Sequence, residues 1–263
     1  VKKEGIRMYQ EQRMSAIVEY LHTNRTIMLD EICDMFTVSK DTARRDLVKL
    51  EEHGKVMRVK GGATLSSSHI VDYSERTPTK AKEQIAKEAA SLISAGYDVL
   101  LDTSSTIALM AKYMDVKHAT VITNSIDNVD LLDQYTTCDT FLLPGKFNGK
   151  NRNVTGPRTI STLQEYKVDQ LFLGTCGVGA ESITSPSEEE AFLKRQMIQC
   201  ARQVIMLADH TKFEREFLHR VCDMSDIDIL ITNKEPEADV KEKIEQNQVR
   251  LIVTDFDKGE EKR

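Results

Sequence analysis

Arg44 and Arg45 stand five and six residues after Ser39, a spacing that gathers them on the first turns of one helix with Lys40, Thr42 and Lys49. A guanidinium offers a planar fork of donors that fits the paired acceptors of a guanine edge or the oxygens of a phosphate. Residues 39–60 carry seven basic side chains (Lys40, Arg44, Arg45, Lys49, Lys55, Arg58 and Lys60) against four acidic ones, while the whole 263-residue chain has a formal net charge of −6. Positive charge gathered on one segment of an acidic protein is the mark of a surface that meets a polyanion. The plainer alternative is a small subdomain whose basic residues are only solvated.

A second set of polar residues recurs where short apolar runs end. Asp102-Thr103-Ser104-Ser105-Thr106 follows Asp98–Leu101, and Thr123-Asn124-Ser125 follows Thr120–Ile122. Gly145 follows Thr140–Leu143, Gly174 and Gly177 follow Gln170–Leu173, and Asp209-His210-Thr211-Lys212 follows Val204–Leu207. Hydroxyls, backbone N–H groups and a positive helix end at one place can hold a phosphate. For a single loop, a serine or threonine after a strand is ordinarily just a helix cap. Agreement among several strand ends is the stronger signal. Glu190 and Lys194 are i, i+4 neighbours on a helix after Pro186. An exposed ion pair of about 0.3–0.5 kcal/mol is the default reading. The sharper one sends Lys194 towards a phosphate and Glu190 towards sugar hydroxyls.

The elements that must position these residues fall into two groups. Met14, Ile17, Val18 and Leu21 recur at helical spacing until Thr23-Asn24, and Leu29, Ile32, Cys33 and Phe36 repeat the pattern. After a Thr37-Val38 turn, Ser39 is a good cap for a third helix that buries Ala43, Leu47 and Leu50, turns its basic residues outward and stops at Gly54. KVMRVKGGAT alternates like a small β-hairpin that Gly61-Gly62 ends, with Arg58 and Lys60 placed to meet a duplex backbone or minor groove. Asp46 would repel a phosphate, so it is read as structural, paired with an arginine or capping backbone. These features predict a winged helix-turn-helix over residues 1–65 and, from its serines, threonines and proline, a connector over 66–79.

Residues 80–263 alternate short apolar runs with helical stripes such as Ile85, Ala89, Leu92 and Ile93, or Ile107, Met110, Ala111 and Met114. Further runs lie at Ile227–Ile231 and Leu251–Val253. Strand and helix in alternation predict an α/β domain with a mostly parallel sheet covered on both faces. Ligands of such sheets bind beyond the carboxyl ends of the strands.

Composition narrows the classes. Hydrophobic residues are 40% and charged residues 30%, which argues against disorder and fibrous repeats. No apolar run approaches the roughly 20 residues that span a bilayer, and the N-terminus has no signal-peptide core, so a cytoplasmic protein without membrane contact is expected. Five scattered cysteines without CxxC spacing fit neither a disulfide framework nor a zinc site. His118, His210 and His219 have no metal-ligand spacing, so no metal ligand is assigned.

Arg13-x3-Ile17-x3-Leu21, then Ser39-x2-Thr42-Ala43-Arg44-Arg45-Asp46-Leu47 and the wing LEEHGKVMRVKGGA, resemble the DeoR-family helix-turn-helix. LLDTSSTIALMA, VITNS, LLPGK, TGP, TSPSEEEAFLKRQMI and LADHTKF extend the resemblance over nearly the whole chain. The resemblance implies a transcriptional repressor of carbohydrate catabolism that binds double-stranded operator DNA as a homo-oligomer, a dimer or tetramer. It also implies a C-terminal domain similar to sugar-phosphate isomerases of the ribose-5-phosphate isomerase type, sensing a phosphorylated sugar. DNA contacts are then assigned to Ser39, Lys40, Thr42, Arg44, Arg45, Lys49, Arg58 and Lys60. Effector contacts are assigned to Asp102, Thr103, Ser104, Ser105, Thr106, Thr123, Asn124, Gly145, Glu190, Lys194, Asp209 and Lys212. No catalytic residue and no cofactor other than the effector is assigned. Two departures stand out: Lys146 where the family usually has a second glycine after LPG, and DTSST where DSGST is commoner. Lys146 and the polar, basic FNGKNRN loop either block part of the pocket or add cations for a more highly charged ligand. An isomerase-like enzyme, and a DNA-binding protein whose second domain only oligomerises, are the rival readings.

Overall fold

The computed structural model of the protein describes residues 9–24, 26–52, 55–65, 78–115, 119–213 and 215–254. The helix stop expected at Gly54, positions 66–77 of the connector and His118 lie outside them. The chain divides into two units, Val1–Val71 and Asp72–Arg263.

In the first unit the helical stripes close on one another. Met14, Ile17 and Leu21 of α1 (Gln10–Asn24) pack with Ile32 of α2 (Leu29–Phe36) and with Ala43, Leu47 and Leu50 of α3 (Lys40–Glu52). Thr37 takes a left-handed conformation at φ 52° between α2 and α3, and Ser39 Oγ then accepts the Thr42 N–H at 3.3 Å to start α3. The wing is a three-stranded antiparallel sheet in the order β1 (Thr26–Met28), β3 (Gly62–Leu65), β2 (Val56–Val59). Gly61-Gly62 therefore does not end the wing. Gly61, at φ +86°, makes the tip turn, and Gly62 begins the returning strand opposite Met28. A Cβ on Gly62 would fall 2.1 Å from the Ile27 carbonyl oxygen, so only glycine lets β3 run beside β1. Three residues are too few to show alternation, which is why β1 is invisible in the sequence.

The second unit is built on seven parallel strands: β4 (Asp98–Leu101), β5 (Thr120–Thr123), β6 (Asp139–Leu142), β9 (Val168–Gly174), β12 (Ala201–Leu207), β14 (Ile229–Thr232) and β15 (Arg250–Val253). All seven are the apolar runs read from the sequence, and their spatial order is β15-β14-β12-β9-β4-β5-β6. Successive residues sort strictly by face. Val99, Leu101, Phe172, Ile205 and Ile231 meet α4 (Lys80–Ser91), α5 (Ser105–Met110) and α6 (Ile126–Tyr135). Leu100, Leu171, Leu173, Met206 and Leu230 meet α7 (Pro157–Leu163), α8 (Glu188–Cys200) and α9 (Ala238–Gln246). Period-two alternation between two apolar faces is what a doubly covered sheet demands.

Two small antiparallel additions were not legible as strands. The FNGKNRN loop folds as a hairpin of β7 (Lys146–Asn148) and β8 (Asn153–Thr155). β10 (Gly177–Val178), β11 (Ser182–Ser185) and β13 (His219–Asp223) form a second sheet. Among the described residues no helix is long and apolar enough to cross a membrane.

The strand order also locates a site. From β4 the chain builds outwards through β5 and β6, then returns to place β9 on the other side of β4 and continues through β12, β14 and β15. The carboxyl ends of β4 and β9 therefore flank the point where the order reverses, where connecting loops diverge and leave a crevice.

Candidate functional site

On α3, Lys40, Asp41, Arg44, Arg45 and Lys49 are exposed while Ala43, Leu47 and Leu50 are buried. The helix is held in that rotation by Asp46, which is 0% exposed. Arg13 donates to both of its oxygens, from Nε at 2.6 Å and Nη2 at 3.1 Å, and Gln10 Nε2 donates at 2.8 Å. The structural role read for Asp46 thus has a named partner on α1. The other side of Gln10 accepts from Lys49 Nζ at 2.7 Å, so Lys49 is steadied by the same clamp.

The remaining basic residues differ in their engagement. Lys40 pairs with Asp30 at 2.7 Å, and that hydrogen bond and charge hold its ammonium above the ordinary lysine value. Arg44 lies 3.7 Å from Asp41, and Arg58 pairs with Glu51 at 2.6 Å, which holds the Glu51 carboxyl below its ordinary value. Arg45 and Lys60 are exposed and make no ion pair among the described residues. Pairs this exposed are weak and readily exchange for a phosphate partner. Ser39 and Thr42 hydroxyls lie 3.0 Å apart at the exposed start of the helix.

In the second unit, the β4–β9 crevice holds a buried ion pair. Lys194 on α8 is 7% exposed and Asp102, just after β4, is 2% exposed. Lys194 Nζ bonds Asp102 Oδ2 and donates to the Gly174 carbonyl at 2.9 Å, while the Gly174 N–H donates to Asp102 Oδ2 at 3.0 Å. Burial alone would lower the Lys194 pKa. The Asp102 and Glu190 carboxylates more than offset it, and the ammonium is held above its ordinary value. A Cβ on Gly174 would lie 2.6 Å from Ser104 Cβ, so a glycine is needed for the two loops to meet. The expected Glu190–Lys194 pair is not what forms. Lys194 turns inward to Asp102, and Glu190 Oε1 instead accepts from Asn151 Nδ2 at 2.8 Å.

Around this pair, Thr103 Oγ1 donates to Asn124 Oδ1 at 3.0 Å, Ser104 Oγ caps α5 through the Thr106 N–H at 3.2 Å, and Ser105 is half-buried. Asp209 caps the short turn His210–Lys212 through the Thr211 N–H at 2.9 Å. Burial pushes its carboxyl up, but Lys212, the Thr211 bonds and Lys82 outweigh burial and hold it below the usual range. Thr123, expected at the ligand, is fully buried with its hydroxyl spent: Oγ1 donates to the Leu101 carbonyl at 2.7 Å and accepts from Ser125 N and Asn128 Nδ2. It therefore supports the loop rather than facing a ligand. Gly145 lets the β6 loop pass Thr159, whose Oγ1 would be 2.2 Å from a Cβ there.

Several residues not singled out in the sequence belong to this edge of the sheet. Asn151 and Thr155 tie the β7–β8 hairpin to Glu190 and Glu189 on the first turn of α8, the second bond measuring 2.8 Å. Arg152 turns the other way, to Asp127 and Asp130 on α6. The basic loop thus commits one of its cations to α6, while Lys146 stays exposed. The polarity of FNGKNRN was the only sequence signal for these contacts.

The helix-turn-helix with its wing and the doubly covered sheet have counterparts in a known family. The DeoR-like helix-turn-helix domain matches residues 13–69, and the DeoR C terminal sensor domain matches residues 77–234. This chain belongs to the DeoR family. It is 40% identical over 258 residues to the HTH-type transcriptional repressor GlcR of Bacillus subtilis (strain 168), covering 97% of this chain and 100% of that one. It is 26% identical over 249 residues to the glycerol-3-phosphate regulon repressor of Escherichia coli (strain K12), covering 93% and 99%. Among solved structures it is similar to ribose 5-phosphate isomerase A from Neisseria gonorrhoeae, with a TM-score of 0.36, 15% identity, and coverage of 55% of this chain and 56% of that one. A likeness that distant carries no argument about activity. The DeoR-family match makes the protein a transcription regulator rather than an enzyme, with a DNA-binding unit and a sensor unit.

Proposed function

We propose that this DeoR-family regulator represses a carbohydrate-catabolism operon in the cytoplasm and that a phosphorylated sugar, bound in the β4–β9 crevice, changes its grip on operator DNA. The observation that carries the reading is the buried Lys194–Asp102 pair at the point of strand-order reversal, within a segment that matches a sensor domain. An ammonium there, with the N–H groups of residues 103–105 and Lys212, supplies positive potential for a phosphate. Glu190 supplies acceptors for sugar hydroxyls, while Asn124, 1% exposed and bonded to Thr103 and to the Val154 carbonyl, holds the two loops together. The names of the GlcR, aga and glycerol-3-phosphate repressors point to the same class of signal.

In the DNA-binding unit, Arg44 and Arg45 read base edges or phosphates in the major groove, Ser39, Lys40, Thr42 and Lys49 fix the helix on the backbone, and Arg58 and Lys60 reach from the wing. A homo-oligomer presents paired α3 helices to two half-sites, and the sugar phosphate shifts their spacing. Gel-shift of the full chain on its own upstream DNA, with and without a panel of sugar phosphates, tests both units. A shift that one or more sugar phosphates weaken is expected; no shift on any upstream fragment overturns the DNA assignment. Operator must lower sugar-phosphate affinity by the factor by which sugar phosphate lowers operator affinity. One observation favours a second reading, a unit that only oligomerises: Lys194 and Asp102 satisfy one another. Thermal shift decides, because a ligand of the native state raises its melting temperature.

A further inference from the structure

Among the described residues five buried side chains carry an oxygen without a hydrogen-bond partner, and Asn153 is the one of them on the β7–β8 hairpin. It is 2% exposed, its Oδ1 has no hydrogen-bond partner, and its Nδ2 donates to no atom of the described residues. Buried carboxamides in folded proteins are nearly always bonded, so one without a protein partner calls for a partner from outside the chain.

Its place in the fold says which partner. Side chains alternate along β8, so Asn153 projects on the same side as Thr155, whose hydroxyl reaches Glu189 on the first turn of α8. Asn151, two residues before it, reaches Glu190 on that same turn, and Arg152 between them points away to α6. Asn153 is thus bracketed by two contacts to the start of the helix that carries Lys194 into the crevice. Its backbone also bridges to Ser125, whose Oγ accepts the N–H of Asn128 at 3.3 Å. Asn128 is 1% exposed, and its Oδ1 is likewise unpartnered. The orientation of that amide is fixed. Nδ2 donates to the Asp102 carbonyl at 3.2 Å and to Thr123 Oγ1 at 2.9 Å, and the Thr123 proton is already spent on Leu101, so a flipped amide would set oxygen against oxygen.

We infer that Asn153 forms a hydroxyl-reading subsite of the sensor unit that selects a polyhydroxylated ligand over a bare phosphate. A free carboxamide donates through Nδ2 and accepts through Oδ1, which matches a sugar hydroxyl acting as both acceptor and donor. A hydroxyl can use both ends at once, whereas an ionised phosphate oxygen can use only the Nδ2 donor and leaves Oδ1 unpaired. The phosphate therefore belongs on the Lys194 and Lys212 side, and the hydroxyl chain on the β8 side. This subsite rests on the proposed sugar-phosphate reading and adds to it the group that discriminates among ligands.

The test is calorimetric titration of the full-length protein with glucose 6-phosphate, fructose 6-phosphate, glycerol 3-phosphate and inorganic phosphate, followed by deoxy analogues of the tightest binder. Asn153→Leu keeps the shape and removes both hydrogen-bonding ends; Asn153→Ser is the second variant should the first fold poorly, with the melting temperature of the unliganded protein as the check. The expected result is a loss of tenfold or more in affinity for the tightest polyol phosphate, with inorganic phosphate unaffected, and an equal affinity of the variant for that ligand and for one deoxy analogue. Unchanged affinity and unchanged discrimination in a folded variant overturn the subsite while leaving the sugar-phosphate reading standing. A wild-type protein that binds no compound of the panel overturns both.

Discussion

The two units of the chain each contain a buried ion pair between a helix and a neighbouring element, and the pairs differ in what surrounds them. Arg13–Asp46 lies beneath α3, opposite the exposed basic residues, and Gln10 completes its hydrogen bonds. Lys194–Asp102 lies at the carboxyl edge of the sheet, among the loops where a ligand of such a fold would bind. A buried pair is weak evidence for stability, since apolar replacements are often as stable, but removing one partner strands a charge. The same chemistry therefore serves as a clamp in one unit and, on our reading, as part of a receptor in the other. Only the surroundings distinguish them.

The largest effects test that distinction directly. Asp46→Ala leaves Arg13 buried without its partner and should destabilise the first unit by about 3–5 kcal/mol, read by urea denaturation, with loss of operator binding. Lys194→Met should destabilise the second unit comparably through Asp102 and abolish the response to sugar phosphate. The sharper comparison uses double replacements. Arg13→Met with Asp46→Leu should recover both stability and operator binding. Lys194→Met with Asp102→Leu should recover stability and operator binding but not the sugar-phosphate response. Recovery of that response would make the second pair a mere clamp and break the comparison.

The sheet was legible because each strand carries several apolar residues between two helical stripes, and the third helix because Ala43, Leu47 and Leu50 define one face. The partners of the polar residues were less so. Asp46 was recognisable as structural from its sign next to an expected phosphate, but its arginine lies 33 positions away. Glu190 and Lys194 are four apart, and local spacing favoured pairing them; burial of α8 on the sheet instead brings Lys194 to Asp102, 92 positions away. Asn151, Asn153 and Thr155 stayed hidden because a seven-residue polar loop has no periodicity to announce a hairpin. Contacts fixed by sheet order leave no local trace, and these are the contacts that build the crevice.

Next in size, Arg45→Ala should cost roughly 1–3 kcal/mol of specific operator binding if the side chain reads a base, with Arg44→Ala close behind because Asp41 already engages Arg44. Fluorescence anisotropy on operator and on scrambled DNA separates base reading from charge. Unchanged operator affinity in both variants would mean that α3 is not the reading helix.

A smaller effect is expected from acid in the sensor unit. Burial opposes the Asp209 charge, but Lys212, Thr211 and Lys82 hold its folded pKa below the unfolded value of about 3.9. Its stabilising contribution is therefore complete above that unfolded value and lost as pH falls through the folded one. The gap in melting temperature between the protein and Asp209→Asn should hold from pH 7 to pH 5 and narrow below about pH 4. A gap that widens in acid would put the shift in the other direction.

The smallest effect belongs to the wing. Lys60 sits at the tip turn, exposed and with no ion pair among the described residues, so its removal disturbs no internal contact. If it meets a phosphate, Lys60→Ala should weaken binding to every duplex alike and reduce the slope of log K against log salt by about one, because one fewer counterion is released. A slope equal to that of the parent, at unchanged affinity, would lift the wing tip off the DNA. The DNA-facing charge would then rest on α3, with Lys55 and Arg58 as the wing's remaining cations.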